Sequence, residues 1–185
     1  MENWLKEYFE RYRVTLFEIN VNKQLIKLKE ICIKAKKNNS KLMLAGNGAS
    51  SSIASHAAND FTKQAKVKAV CFTDSSLITA YANDYGYENW LAKAIESYYS
   101  KDDLVILISS SGSSKNIVNA ALKAKKLGLK VITFSGFSDD NQLKKIGDIN
   151  FWVPSKAYNI IENTHSIWIT TVVDMILGKA EYDVS

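Results

Sequence analysis

The sequence predicts an α/β domain built on a parallel sheet. Short apolar runs alternate with stretches of helical period along most of the chain. One run, Leu104-Val-Ile-Leu-Ile108, contains no polar residue, as expected of a central parallel strand covered on both faces. Two of the runs end in turns rich in Gly and Ser, the place where ligands bind in such sheets.

The elements follow in order. Leu5, Phe9, Tyr12 and Leu16 recur at spacings of three and four and predict a first helix. A second runs from about Asn22, with Leu25, Leu28 and Ile31 on its inner face. The pair occupies 1–38, ahead of an α/β core over 39–185. It can serve either as an oligomer interface or as a layer packed on the chain's own core. The period then changes. Strands are expected at Lys41–Ala45, Val67–Phe72, Leu104–Ile108, Val131–Phe134 and Ile149–Val153. Helices are expected at Ser50–Lys63, Leu77–Asn83, Glu88–Tyr99, Asn116–Leu127, Asn141–Ile146 and Tyr158–Lys179.

Composition narrows the class. The chain has 185 residues, enough for one domain with a sizeable core, and is read as a single domain over 1–185. It is 46% hydrophobic and 23% charged, with a formal net charge of +5. The lysine clusters Lys34–Lys37 and Lys123–Lys126 fall on helical patterns and read as solvated helix faces, so no nucleic-acid partner is expected. No apolar stretch reaches the roughly 20 residues that span a bilayer, and charges recur from Glu2 onward. A cytoplasmic protein without a membrane partner is expected. Cys32 and Cys71 sit in apolar runs and read as buried, reduced thiols.

The chemistry concentrates in the two turns. Gly46-Asn-Gly-Ala-Ser-Ser-Ser52 has glycines that let the backbone approach a ligand, ahead of a helix start. Ser109-Ser-Ser-Gly-Ser-Ser114 has five hydroxyls and one glycine in six residues, between the most apolar strand and a helix. Hydroxyls, free backbone N–H groups and a helix dipole suit a phosphate without a lysine. Such serines can also serve as helix caps alone. The phosphate-loop and dinucleotide glycine patterns of nucleotide sites are missing, so no nucleotide cofactor is expected.

These stretches resemble the SIS family of sugar isomerases, and most closely its phosphoheptose isomerase branch. The matching segments are Gly46-Asn-Gly-Ala-Ser50 leading to His56, Thr73-Asp-Ser-Ser76, Asn83-Asp-Tyr-Gly86, Ile108-Ser-Ser-Ser-Gly112 with Ser114, and Val153-Pro-Ser155. Order and spacing hold from about Lys41 to Lys179. The resemblance implies a three-layer αβα sandwich with a five-stranded parallel sheet, N-terminal helices for oligomerisation, and a homotetramer with sites between subunits. It implies aldose–ketose interconversion of a heptulose 7-phosphate or related ketose phosphate through an enediolate. Ser50, Ser109, Ser110, Ser111 and Ser114 fall on the family's phosphate-binding positions. Asn47 and Asp84 fall on its sugar-contacting positions.

The family's metal-associated cluster takes a histidine and a glutamate from an early helix, and a glutamine and a histidine from the last. Here those positions are His56, Asp60, Glu162 and Thr170. Threonine is neither a good zinc ligand nor a general acid near neutral pH. His165 matches another family histidine and stands three residues from Glu162, within reach of it. The expected catalytic group is therefore Asp60 or Glu162 as base, with His56 and His165 assisting. The expected zinc set is His56, Asp60 and Glu162. Two other readings follow from Thr170 and from the mixed donor set: a non-catalytic SIS protein of the kind that binds a replication initiator, and a metal-dependent sugar-phosphate epimerase.

Overall fold

The structure is a computed structural model and describes residues 1–181. Within these residues five parallel strands stand in the order β2-β1-β3-β4-β5. They are β1 (Leu42–Gly46), β2 (Ala69–Cys71), β3 (Leu104–Ser109), β4 (Lys130–Ser135) and β5 (Ile149–Trp152). Among the described residues eight α-helices surround them: α1 (Glu2–Arg13), α2 (Asn22–Lys37), α3 (Ala49–Lys63), α4 (Ser75–Tyr85), α5 (Trp90–Tyr98), α6 (Lys115–Lys126), α7 (Gln142–Ile146) and α8 (Tyr158–Leu177). A π-helical stretch, Val14–Glu18, continues α1.

The strand period of two divides the core. Leu42 and Leu44 of β1, Leu104, Ile106 and Ile108 of β3, and Ile132 and Phe134 of β4 face one layer, made by α2, α3 and α8. The residues between them, Met43, Ala45, Val105, Leu107 and Val131, face the other, made by α5, α6 and α7 with α4 at its rim. Phe61, Ile169 and Val172 complete the first layer and Leu91, Ile95 and Ile117 the second, all fully buried. This is the expected three-layer sandwich.

The two N-terminal helices part company. Leu25, Leu28, Cys32 and Ala35 bury α2 in the chain's own core. Helix α1 buries no residue, and Trp4, Phe9 and, just beyond it, Phe17 are exposed by 57%, 62% and 81%. The thiol of Cys32 is buried, and burial pushes its pKa up to about 12; Cys71 is half-buried and raised to about 11 for the same reason. The short edge strand β2 spans only part of the expected Val67–Phe72, and α4 begins earlier than Leu77, where Asp74 accepts a hydrogen bond from the Leu77 N–H.

The strand order places the reversal of chain direction between β1 and β3. After β1 the chain turns into α3 and out to the edge strand β2; after β3 it turns into α6 and the opposite way to β4. The crevice outside the carboxyl ends of β1 and β3 is the ligand position of such sheets.

Candidate functional site

Both serine turns meet at that crevice. Asn47, Ser50, Ser109, Ser110, Ser111 and Ser114 line one cavity of about 130 Å³, and Tyr158 and Glu162 of α8 close it. Two close approaches shape the walls. A Cβ on Gly46 would overlap the backbone of Ser50, so only glycine lets the first turn of α3 come so near β1. Gly112 has φ +64°, and a Cβ there would overlap the side chain of buried Asn141. Gly112→Ala is accordingly expected to cost about 2 kcal/mol of stability, read as the urea midpoint.

Asn141 ties this loop to the end of β4. Its Nδ2 donates to Ser135 Oγ at 3.1 Å, while the N–H of Leu143, two residues on, donates to the Gly112 carbonyl at 2.9 Å. The Gly136 N–H donates to the Ser110 carbonyl at 2.9 Å.

The serines do not act as side-chain caps. Neither Gly48 at the start of α3 nor Ser114 at the start of α6 makes a side-chain cap hydrogen bond. Ser109 Oγ donates to Ser114 Oγ at 3.3 Å, and Ser110 Oγ donates to Glu162 Oε1 at 3.1 Å. Hydroxyls of two turns, each at the start of a helix, thus line one space, an arrangement suited to an anion.

The other expected residues lie elsewhere. His56 Nε2 stands 3.3 Å from Asp60 Oδ2, and His56 opens into a separate cleft with Ser52, Asn59 and Thr73. Asp84 is exposed on α4, where Asn83 donates to it at 2.9 Å, and it does not line the serine cavity.

Two expectations need correction. His165 does not assist in the cavity: it is fully buried, with its ring 5.6 Å from that of Phe134. Its Nε2 lies 3.0 Å from the Ser135 carbonyl, so that nitrogen carries the proton and donates, while Nδ1 has no partner. Burial holds its pKa down at about 4. Glu162, three residues earlier, turns outward to Ser110 instead.

The zinc set His56, Asp60 and Glu162 is also not assembled within one chain. Among the described residues no three His, Cys, Asp or Glu side chains converge on a metal position. His56 stands six residues, nearly two turns of α3, beyond the Ser50 that shares a cavity with Glu162. The hydroxyl of Thr170 is spent on its own helix, donating to the carbonyls of Ser166 and Ile167 at 2.9 and 3.1 Å. Asp174 lies near Asp60; burial first, and then the charge of Asp60, raise its carboxyl pKa.

Sequence reasoning missed Tyr87, Asn116 and Tyr158. Tyr158 precedes Glu162 by four residues, a spacing that puts both on one helix face and could have flagged it. Asn116 interrupts the buried face of α6, and a polar residue at an inner position is the available signal.

Comparison with known proteins agrees with this geometry. The SIS-domain family profile matches residues 7–136. Phosphoheptose isomerase from Helicobacter pylori is 38% identical over 152 residues, covering 79% of each chain. Its counterpart from Aliarcobacter butzleri is 33% identical over 184 residues, covering 95% of this chain and 97% of that one. The chain belongs to the phosphoheptose isomerase family of SIS domains. The structure of a phosphoheptose isomerase from Francisella tularensis superposes on this SIS domain with a TM-score of 0.87 at 27% identity, over 96% of this chain and 98% of that one. The N-terminal helices are therefore within the SIS-domain likeness.

Proposed function

We propose that the chain is a sugar-phosphate isomerase that interconverts a heptulose 7-phosphate, or a related ketose phosphate, with its aldose. The supporting observation is the Glu162 carboxylate, held by Ser110 at the wall of the serine cavity. Membership of the phosphoheptose isomerase family gives the reaction class. No comparable observation favours the initiator-binding or epimerase readings.

The chemistry follows from the placement. The serine hydroxyls and the N-termini of α3 and α6 hold the phosphate. The sugar then extends past Asn47 and Glu162. Glu162 removes the proton from C1 of the ketose, and the C2 carbonyl oxygen is protonated, leaving an enediol. Returning the proton to C2 while O1 loses its own gives the aldose, so one proton shifts between carbons and one between oxygens. Hydrogen-bond donors near the two oxygens stabilise the charge that develops on them.

The exposed aromatic face of α1 supports self-association, with a tetramer as the proposed assembly. Among the described residues no helix is long and apolar enough to cross a membrane, and a cytoplasmic site of action is proposed.

The test is incubation with sedoheptulose 7-phosphate, following appearance of the aldose. Turnover is expected. Complete inactivity across a panel of ketose and aldose phosphates would remove the isomerase reading.

A further inference from the structure

Asn47 and Asn116 form a reciprocal amide pair. Asn116 Nδ2 donates to Asn47 Oδ1 at 2.8 Å, and Asn47 Nδ2 donates to Asn116 Oδ1 at 3.0 Å. The Tyr87 hydroxyl donates to the same Asn47 Oδ1 at 3.4 Å. Asn116 is 2% exposed and belongs to the first turn of α6, directly after the second serine loop. Asn47 follows β1 and lines the cavity. The pair thus links the two ligand loops across the crevice, between residues 69 apart in sequence.

An amide oxygen has two lone pairs and an amide nitrogen two N–H groups. Both lone pairs of Asn47 Oδ1 are occupied, by Asn116 and Tyr87. One of its N–H groups is given to Asn116. The other remains, on a residue that lines the ligand space. Rotating Asn47 alone would set N–H against N–H and oxygen against oxygen. The orientation is therefore held by its neighbours, not chosen by the ligand.

Resting on the sugar-phosphate reading above, we propose that Asn116, with Tyr87, is a positioning residue that presets Asn47 as a hydrogen-bond donor to an oxygen of the sugar. An N–H held toward an oxygen that gains negative charge in the enediolate acts on the reaction without reorganising. The phosphate end is gripped by other groups, the serines. The two ends of the ligand should respond separately.

The experiment compares wild type, Asn116→Ala and Tyr87→Phe. An alanine removes both hydrogen bonds to Asn47 and adds no charge beside the phosphate. Steady-state kcat and KM are measured with sedoheptulose 7-phosphate, and competitive inhibition is measured with inorganic phosphate. Asn116→Ala is expected to lower kcat/KM about 10- to 100-fold and Tyr87→Phe about 3-fold, with phosphate affinity changed less than about 2-fold in either. Equal losses for phosphate and sugar phosphate would overturn the proposal and make Asn116 a support for α6. Unchanged sugar-phosphate kinetics in Tyr87→Phe would overturn the orienting role even if Asn116→Ala does not fold. If wild type binds a sugar phosphate more tightly than phosphate without converting it, the same comparison on dissociation constants decides the proposal while the isomerase reading fails. If wild type binds no sugar phosphate more tightly than phosphate, the proposal is overturned as well.

Discussion

Glu162→Gln is expected to lower kcat about 100- to 10,000-fold, the range for loss of a positioned general base. The change is nearly isosteric, and Gln still accepts the hydrogen bond that Ser110 makes at 3.1 Å. It is also the residue that the phosphoheptose isomerase pattern carries at this position. A base at Asp60 would therefore leave Glu162→Gln close to wild type. Asp60→Asn, beside His56 and outside the serine cavity, is expected to cost less than about 10-fold. Rates with sedoheptulose 7-phosphate on the two variants rank the two carboxylates, and the reverse order would move the base to Asp60. Relative to the family pattern, the carboxylate at position 60 is one methylene shorter and the amide at position 162 has become a carboxylate.

The second large effect concerns pH. The buried His165 ring has a pKa of about 4 in the fold against 6.5 for a free histidine side chain. Between those values the unfolded chain binds a proton that the folded chain does not. The stability that the neutral ring contributes is complete above pH 6.5 and is lost as pH falls toward 4, by about 3 kcal/mol in all. Urea unfolding at pH 7 and pH 4.5 should show most of this loss in wild type. His165→Gln can still donate to the Ser135 carbonyl but does not titrate, so its stability should fall markedly less over the interval. Parallel pH dependence in the two chains would show that His165 is not the source.

Much of this fold could be read from the chain because its central strands are covered on both sides. Runs such as Leu104–Ile108 have no polar position to confuse with helix. The edge strand β2 was harder, because Val70 faces solvent and only three residues pair with β1. The serine loops were legible for a topological reason: Gly- and Ser-rich turns after apolar runs fall at strand carboxyl ends. What period and spacing could not show is direction across the fold. Glu162 and His165 are neighbours on a helix surface, yet one turns to the rim and the other to β4, because Phe134 and Trp168 make an apolar pocket around the imidazole. The partnership of Asn116 with Asn47 is similarly invisible, since contacts between residues so far apart in sequence exist only once the sheet is assembled.

The serine cavity has a lining that decides how it responds to its surroundings. Among the described residues its wall holds hydroxyls, an amide, a phenol and one carboxylate, and no Lys, Arg or His. A ligand there is held by short-range dipoles rather than by opposite charges. Dissolved ions weaken attraction between charges over distances of about 10 Å at 0.1 M, and affect hydrogen bonds at contact far less. Affinity at this site is therefore expected to lack the steep loss with added salt that an anion site lined by Lys or Arg shows.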